Sequence, residues 1–146
     1  MIRRMQKEDI PAAARLERNY FSVPWTEEGL QESLDNPAYL FVTAREDEQI
    51  VGYAGLLQVL DEGDVTNIVV DEAHRGQGIG TRLTEALLVE GRLRGIRNFT
   101  LEVRIGNKSA IHIYEKLGFV PEGVRKGFYE KPTEDALIMW KREAEE

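Results

Sequence analysis

The chain of 146 residues contains no cysteine and only two histidines. The absence of cysteine excludes a disulfide framework, a thiolate metal site and an acyl-cysteine intermediate. His74 and His112 are far apart in the sequence and have no clustered carboxylates around them. We therefore interpret both histidines as surface residues and predict that the protein has no metal site.

Long apolar runs are also absent, because no stretch approaches the roughly 20 residues that a membrane helix requires. Residues 1–9 do not resemble a signal peptide, and no linker, repeat or low-complexity tract interrupts the chain. A hydrophobic content of 42% is enough to build a core. We predict one domain covering residues 1–146, with no membrane partner and a cytoplasmic location.

Basic residues are fewer than acidic ones: the chain has 19 Lys and Arg and 26 Asp and Glu, which gives a formal net charge of −7. This balance argues against nucleic acid as a partner, whereas a basic peptide or protein would be attracted to the surface. The same acidity would also simply aid solubility.

The most informative segment is the glycine-rich run at residues 69–80, VVDEAHRGQGIG. Two β-branched residues end a strand, three alternating glycines follow, and an apolar stripe then predicts a helix from Ile79 to Gly95. Such a turn lets backbone N–H groups approach an anion, and Arg75 adds a guanidinium. Neither the dinucleotide pattern nor the P-loop pattern is present. The alternative is that the glycines only make a tight connection.

The remaining patterns predict a mixed α/β sheet. A helix is expected to enter through Asp9 as its cap, and a second helix begins at Thr26. The predicted strands are residues 2–5, 39–45, 50–60, 64–70, 99–104 and 136–141, with a short helix at 108–117.

The segment 75–80 resembles the phosphate-binding motif [RQ]-x-x-G-x-[GA] of the GNAT superfamily of N-acetyltransferases, through Arg75, Gly78 and Gly80. A second GNAT signature is similar to residues 101–119, where the matching residues are Glu102, Asn107, Ala110, Tyr114, Gly118 and Phe119. Segments 21–30 and 128–139 resemble the RimI group, whose members acetylate the N-terminal alanine of a small-subunit ribosomal protein.

The resemblance implies a central, mostly antiparallel sheet whose two parallel strands splay apart to admit acetyl-coenzyme A. It also implies that the strand 68–70 presents backbone N–H groups to the thioester, and that Asn107 contacts the cofactor. By residue alone, Asn107 could equally cap the following helix. The cofactor-binding residues expected on this basis are Ile68, Val69, Val70, Arg75, Gly76, Gln77, Gly78, Ile79, Gly80, Thr81 and Asn107.

Amide formation needs a base, because an α-amino group with a pKa of about 7.7–8.0 is largely protonated near neutral pH. Glu102 is the candidate, since Phe99, Leu101 and Val103 form one apolar face of a strand and Glu102 projects from the other. Burial would make this carboxylate a stronger base. The alternative is an ion pair with Arg104 or another arginine, and the resemblance favours catalysis.

Tyr114 is the candidate acid, because a phenol with a pKa of about 10 stays protonated until a thiolate forms. The alternative is a core tyrosine, since Tyr114 lies on the apolar stripe of a short helix. The family uses a tyrosine here as proton donor.

For the acceptor, the resemblance implies contacts from Phe21, Pro24, Trp25, Tyr129 and Glu130, for which ordinary packing is the alternative.

The sequence thus predicts direct transfer of acetyl from acetyl-coenzyme A to a protein N-terminal amine, in a ternary complex, by a monomer or weak homodimer. The segments SVPW and EKPTED differ from the RimI pattern in detail, which affects the acceptor most. Two alternatives stay open: a lysine or small-amine acetyltransferase, and a non-catalytic acyl-coenzyme A sensor. The presence of both Glu102 and Tyr114 argues against the sensor.

Overall fold

The computed structural model describes residues 1–21 and 23–143. Its elements follow the order β-α-α-β-β-β-α-β-α-β-β, with short 3-10 turns before α1 and before α3. The elements are β1 (Ile2–Arg4), α1 (Ile10–Tyr20), α2 (Glu27–Leu34), β2 (Tyr39–Glu46), β3 (Gln49–Val59), β4 (Glu62–Val70), α3 (Ile79–Leu93), β5 (Asn98–Arg104), α4 (Lys108–Lys116), β6 (Val120–Tyr129) and β7 (Glu134–Lys141).

The strands form one seven-stranded sheet in the order β1-β2-β3-β4-β5-β7-β6. Every neighbouring pair is antiparallel except β4 and β5, which are parallel. The predicted mixed sheet with a single parallel pair flanked by helices is confirmed. None of the helices in residues 1–21 and 23–143 has the length and apolar character needed to cross a membrane.

The sheet separates two apolar layers. On one face, α3 packs against β2, β3 and β4, and Leu83, Leu87 and Phe99 are fully buried in this layer. On the other face, α1 and α2 cover the first strands, and Leu30 and Tyr53 are the largest side chains with no exposure. Burying both faces of the sheet supplies the main stabilisation of the fold.

A β-bulge at Thr66 changes which face β4 presents. Val65 pairs with Leu56, but the next pair joins Asn67 to Gly55, so Thr66 has no partner on β3. An extra residue in one strand exchanges its two faces beyond that point. As a result, Val65 packs in the α3 layer, whereas Val69 packs in the α1 layer.

Asp9 is the N-cap residue of α1 by position, but the predicted side-chain cap is wrong. The carboxylate is 1% exposed and instead pairs with Arg45 at 2.6 Å and Arg3 at 3.3 Å. It also accepts the N–H of Gln6 at 2.8 Å. Charged partners in the sheet outcompete the helix terminus, and Asp9 consequently ties α1 to β1 and β2. The helix predicted to begin at Thr26 is present as α2, and Thr26 is its N-cap, whose Oγ1 accepts the N–H of Gly29 at 3.0 Å.

The sequence patterns do not predict β6. This edge strand is exposed along most of its length, so apolar and polar residues do not alternate in it. It also contains Pro121, Gly123 and Gly127, which normally argue against a strand, and its register against β7 shifts twice.

Replacing Gly91 with alanine should destabilise the fold by overpacking. An added Cβ would lie 2.7 Å from Phe99 Cε1 and 3.3 Å from Ile96 Cδ1. Overpacking typically costs about 1–3 kcal/mol, of which alanine recovers about 1 kcal/mol through helix propensity. We expect the free energy of unfolding in urea to fall by about 1 kcal/mol. Val89→Ala, at an exposed position of the same helix, should change it by less than about 0.5 kcal/mol. Unchanged or greater stability of Gly91→Ala would contradict this packing.

Candidate functional site

A cleft of about 420 Å³ opens where β4 and β5 stop pairing. Their parallel register runs from Glu62 with Asn98 to Val65 with Leu101, and both strands then continue unpaired with each other. The expected divergence of the parallel pair is therefore present. Predicted site residues that line the cleft are Phe21, Trp25, Ile68, Glu102, Asn107, Tyr114, Tyr129 and Glu130.

Glu102 projects into the cleft because its neighbours on β5 turn the other way. Leu101 and Val103 are 2% and 6% exposed in the core, whereas the Glu102 side chain is 22% exposed. Its Oε1 lies 3.8 Å from Arg125 Nη2, and its Oε2 is buried with no hydrogen-bond partner among the described residues. Of the alternative ion pairs, the one with Arg104 does not form, because Arg104 contacts Glu134, whereas the one with another arginine, Arg125, is present. A buried carboxylate oxygen without a partner is suited to receiving a proton.

Asp64 lies beside Glu102 on the neighbouring strand. Burial is the main cause that raises the pKa of the Asp64 carboxyl, and the charge of Glu102 raises it further, against a smaller opposing effect of Arg125. Asp64 and Glu102 are therefore neighbouring carboxyl groups, of which Glu102 lines the cleft.

Tyr114 packs in the core and also lines the cleft, so its role as the acid stays a prediction. The side chain is 8% exposed and its ring packs edge-on against Phe119 at 6.0 Å, as a core tyrosine would. It also lines the cleft. Burial, with a smaller contribution from Tyr129, raises the pKa of the Tyr114 phenol, so the hydroxyl stays protonated through neutral pH.

Asn107 caps α4, which confirms the local role expected for an asparagine at this point. Its Oδ1 accepts the N–H of Ala110 and the hydroxyl of Ser109, both at 3.3 Å. The same residue lines the cleft, so its expected contact with the cofactor stays a prediction.

The glycine-rich loop lies outside the cleft, beyond the end of β4. Gly76 and Gly78 have φ angles of 80° and 78°, and no atom lies within 4 Å of a Cβ built on either. Helix α3 follows at once, and Arg82 N is the first of its amides to bond back, to Gly78 O at 3.0 Å. The N–H groups of residues 79–81 precede that bond and so have no partner within the helix. An open loop at a helix N-terminus suits a phosphate group.

Arg75 is held beside this loop by Tyr20, a residue that sequence reasoning missed. The guanidinium lies 4.7 Å from the centre of the Tyr20 ring, and its Nε donates to Val70 O at 3.1 Å. The Tyr20 hydroxyl donates to Asp71 Oδ1 at 2.5 Å and accepts Glu72 N at 2.8 Å. Helix α1 therefore fastens the segment that leads into the glycines. An aromatic residue that ends a helix gives no sequence signal for such a contact.

The exposed edge of β4 offers alternate backbone groups. Two alternate residues of this segment face β3: Asp71, whose N–H donates to Val51 O at 2.7 Å, and Val69, which pairs with Tyr53. Since N–H groups alternate between the two edges of a strand, those of Ile68 and Val70 face the gap toward β5. The N–H of Val69 faces β3 and its side chain is buried in the core, so Val69 contributes no group to the gap.

The opposite wall of the cleft combines two loops. Trp25 lines it while packing edge-on against Tyr39 and Phe41, each at 6.1 Å, so that the packing expected as an alternative is present as well. Phe21 is 38% exposed at the rim. Pro24 lies between these two residues in sequence but does not line the cleft as the structure describes it.

Tyr129 and Glu130 are positioned by Arg104, a second residue that sequence reasoning missed. The guanidinium stacks 4.5 Å from the centre of the Tyr129 ring and donates to Glu130 O at 3.2 Å. It also donates to Glu134 at 3.1 Å, which fixes the turn onto β5. Burial, followed by the charge of Glu102, raises the pKa of Tyr129 to about 12.

The sequence profile of the acetyltransferase (GNAT) family matches residues 10–119, well over half of the chain. The chain belongs to the acetyltransferase (GNAT) family. Members of this family transfer acetyl from acetyl-coenzyme A, so the protein is an acetyl-coenzyme A-dependent N-acetyltransferase.

Individual relatives resemble this GNAT chain along nearly its whole length. The ribosomal protein bS18-alanine N-acetyltransferase of Escherichia coli K12 is 35% identical over an alignment of 139 residues that covers 92% of this chain and 92% of its own. The enzyme of the same name from Salmonella typhimurium is 36% identical over 90% of this chain and 89% of its own. The crystal structure of the ribosomal-protein-S18-alanine N-acetyltransferase from Escherichia coli is 32% identical, with a TM-score of 0.90, covering 100% of this chain and 95% of that one. The resemblance to the RimI group is confirmed.

The residues present fit acetyl-coenzyme A, since the loop of Gly76 and Gly78 leaves room for a pyrophosphate and the β4 edge offers N–H groups. Within residues 1–21 and 23–143, no group of three or more His, Asp or Glu side chains is arranged to hold a metal ion.

Replacing Tyr20 with phenylalanine should weaken the use of acetyl-coenzyme A. The change removes the hydroxyl that bonds Asp71 and Glu72, and one such bond is worth about 1 kcal/mol, or roughly fivefold in affinity. We expect the KM for acetyl-coenzyme A to rise about fivefold in a steady-state thiol-release assay. Tyr39→Phe removes a hydroxyl from an aromatic residue outside the loop and should leave that KM unchanged. An unchanged KM in Tyr20→Phe would show that α1 does not support the loop.

Proposed function

We propose that this GNAT enzyme acetylates a protein N-terminal α-amine, namely the N-terminal alanine of a ribosomal protein of the bS18 type. The observation that carries the acceptor assignment is the 35% identity, over 92% of both chains, to the Escherichia coli enzyme named for that substrate. The net charge of −7 supports it, because an acidic surface attracts a basic protein.

The proposed reaction is a direct transfer in a ternary complex. Acetyl-coenzyme A lies with its pyrophosphate at the loop 75–81 and its thioester in the gap between β4 and β5. The acceptor enters from the side of Phe21, Trp25, Tyr129 and Glu130. The absence of cysteine supports direct attack, because it removes the common thiol carrier for an acetyl intermediate.

The proposed chemistry assigns one proton movement to each of two residues. Glu102 removes a proton from the ammonium, and the free amine nitrogen attacks the thioester carbon. The C–N bond forms, the C–S bond breaks, and Tyr114 gives its proton to the departing thiolate. The nitrogen loses its second proton to solvent as the neutral amide forms, and Tyr114 regains a proton from solvent. The charge that develops on the carbonyl oxygen meets the N–H groups of Ile68 and Val70, which face the gap by strand alternation.

We further propose that residues 1–146 act as one domain in the cytoplasm, as a monomer or weak homodimer. The family profile covers residues 10–119, and the sheet continues beyond it through β6 and β7. Strand β7 pairs with β5, so the last part of the chain belongs to the same sheet as the cleft.

Matched acceptors test the proposed function. Thiol release from acetyl-coenzyme A is measured with three acceptors. The first is a peptide with a free N-terminal alanine, the second is a matched peptide whose N-terminus is blocked and which carries an internal lysine, and the third is a polyamine. We expect activity only with the free N-terminus. Activity confined to lysine or polyamine would overturn the acceptor class, and tight cofactor binding without turnover of any amine would indicate a sensor.

Replacing Glu102 with glutamine should lower kcat by about 100- to 10,000-fold, the usual contribution of a general base. The residual rate should rise with pH more steeply than in the wild-type enzyme, since the amine must then lose its proton unaided. Glu115→Gln, at an exposed position on α4, is the control and should have wild-type activity. Wild-type activity of Glu102→Gln across pH would remove Glu102 from the mechanism.

Replacing Tyr114 with phenylalanine should slow coenzyme A release while keeping the ring contact with Phe119. Because the phenol supplies the leaving-group proton, we expect kcat to fall at least tenfold with little change in the thermal midpoint. The two quantities are measured by thiol release and by thermal unfolding. Release at the wild-type rate would assign Tyr114 to the core alone.

A further inference from the structure

Glu17 is a buried carboxylate in the wall of the cleft that the mechanism above does not use. The side chain is 1% exposed and lies on α1, in the layer that covers β3 and β4. Carboxylates are almost never buried to this degree unless they are paired with a cation or fully hydrogen-bonded. The groups around Glu17 therefore indicate the function of its charge.

Three neutral groups from three separate elements donate to Glu17. Trp25 N donates to Oε1 at 2.8 Å, while the Tyr53 hydroxyl at 2.6 Å and Asn67 Nδ2 at 3.3 Å donate to Oε2. In every one of these bonds the carboxylate accepts, as an ionised group must. Burial and the adjacent charge of Glu17 both raise the pKa of Tyr53, which keeps that phenol protonated as a donor.

No ion pair to Glu17 exists within the part of the chain that the structure describes. The other fully buried acid, Asp9, is matched by Arg3 and Arg45. Glu102, another carboxylate that lines the cleft, has Arg125 at 3.8 Å. Glu17 is thus a hydrogen-bonded anion at the cleft wall without a protein cation to offset it, and low local polarity lengthens the reach of such a charge.

We propose that Glu17 is the specificity-determining anion that draws a positively charged amine into the cleft. The inference deepens the proposed function, on which it rests, because an N-terminal amine arrives mainly as an ammonium near neutral pH. Glu17 attracts and holds that ammonium beside Trp25, and Glu102 then takes the proton. The two carboxylates have different roles. Glu17 keeps its hydrogen bonds and its charge, whereas Glu102 has an oxygen open to a proton.

Glu17→Gln tests the proposal, because it removes the charge at nearly constant shape. We expect the KM for the acceptor to rise at least tenfold, about 1.4 kcal/mol, while the KM for acetyl-coenzyme A changes less than twofold. Glu17→Asp, which keeps the charge, should recover most of the acceptor KM. Asp9→Asn is the matched control, since it neutralises an equally buried acid outside the cleft and should affect stability only. An unchanged acceptor KM in Glu17→Gln would overturn the proposal.

A second measurement does not depend on the folding of Glu17 variants. In the slow Glu102→Gln enzyme, binding of the free N-terminal alanine peptide is compared with that of an analogue carrying a hydroxyl in place of the amine. At least tenfold tighter binding of the ammonium is expected, and equal binding would contradict a role for Glu17. If the wild-type enzyme uses a polyamine rather than the peptide, the proposed acceptor fails, and the Glu17 series is then run with the polyamine and its neutral analogue.

Discussion

The divergence of β4 and β5 beyond Val65 and Leu101 is the constraint on which the rest of the site depends. A parallel pair that continued would use both strand edges for pairing and leave no room between them. Because the pairing ends after four residues of each strand, the edge of β4 beyond Val65 faces a gap. The side chain of Glu102, on β5, lines the cleft that opens there. The bulge at Thr66 acts in the same region, since it turns Asn67 toward the α1 layer, where it bonds Glu17.

Both walls of the gap are secured by polar contacts that reach across elements. The last turns of α1 hold two segments, with Glu17 bonded to the loop at Trp25 and Tyr20 bonded to the loop that precedes the glycines. On the far side, Arg104 clamps the turn that carries Tyr129 and Glu130. Loops fixed in this way need little rearrangement when substrates bind, which lowers the entropic cost of aligning an amine with a thioester.

Local patterns predicted most of the scaffold. The glycines before α3, the alternation around Glu102 and the cap at Asn107 each depend on residues close in sequence, and the structure has them as expected. Local patterns did not predict the strand β6, because an exposed edge strand with proline and glycine shows no alternation of apolar and polar residues. The ion pairs of Asp9 and the contacts of Glu17, Tyr20 and Arg104 were not predicted for a different reason, because each involves a partner far away in sequence. Asp9 reaches Arg45 and Glu17 reaches Tyr53, both 36 residues away, and Tyr20 reaches Asp71, 51 residues away. Arg104 reaches Glu130 and Glu134, 26 and 30 residues away. Such contacts are decided by the tertiary fold.

The proposed transfer requires the gap between β4 and β5 to hold both substrates at once. The most direct test is a crystal structure of the protein with a bisubstrate analogue, in which coenzyme A is joined through its sulfur to the amine of an alanine peptide. We expect the sulfur between the β4 edge and Tyr114, the linked nitrogen between Glu102 and Glu17, and the pyrophosphate at Gly76 and Gly78. An analogue bound with its peptide outside the cleft lined by Trp25 and Tyr129 would contradict it.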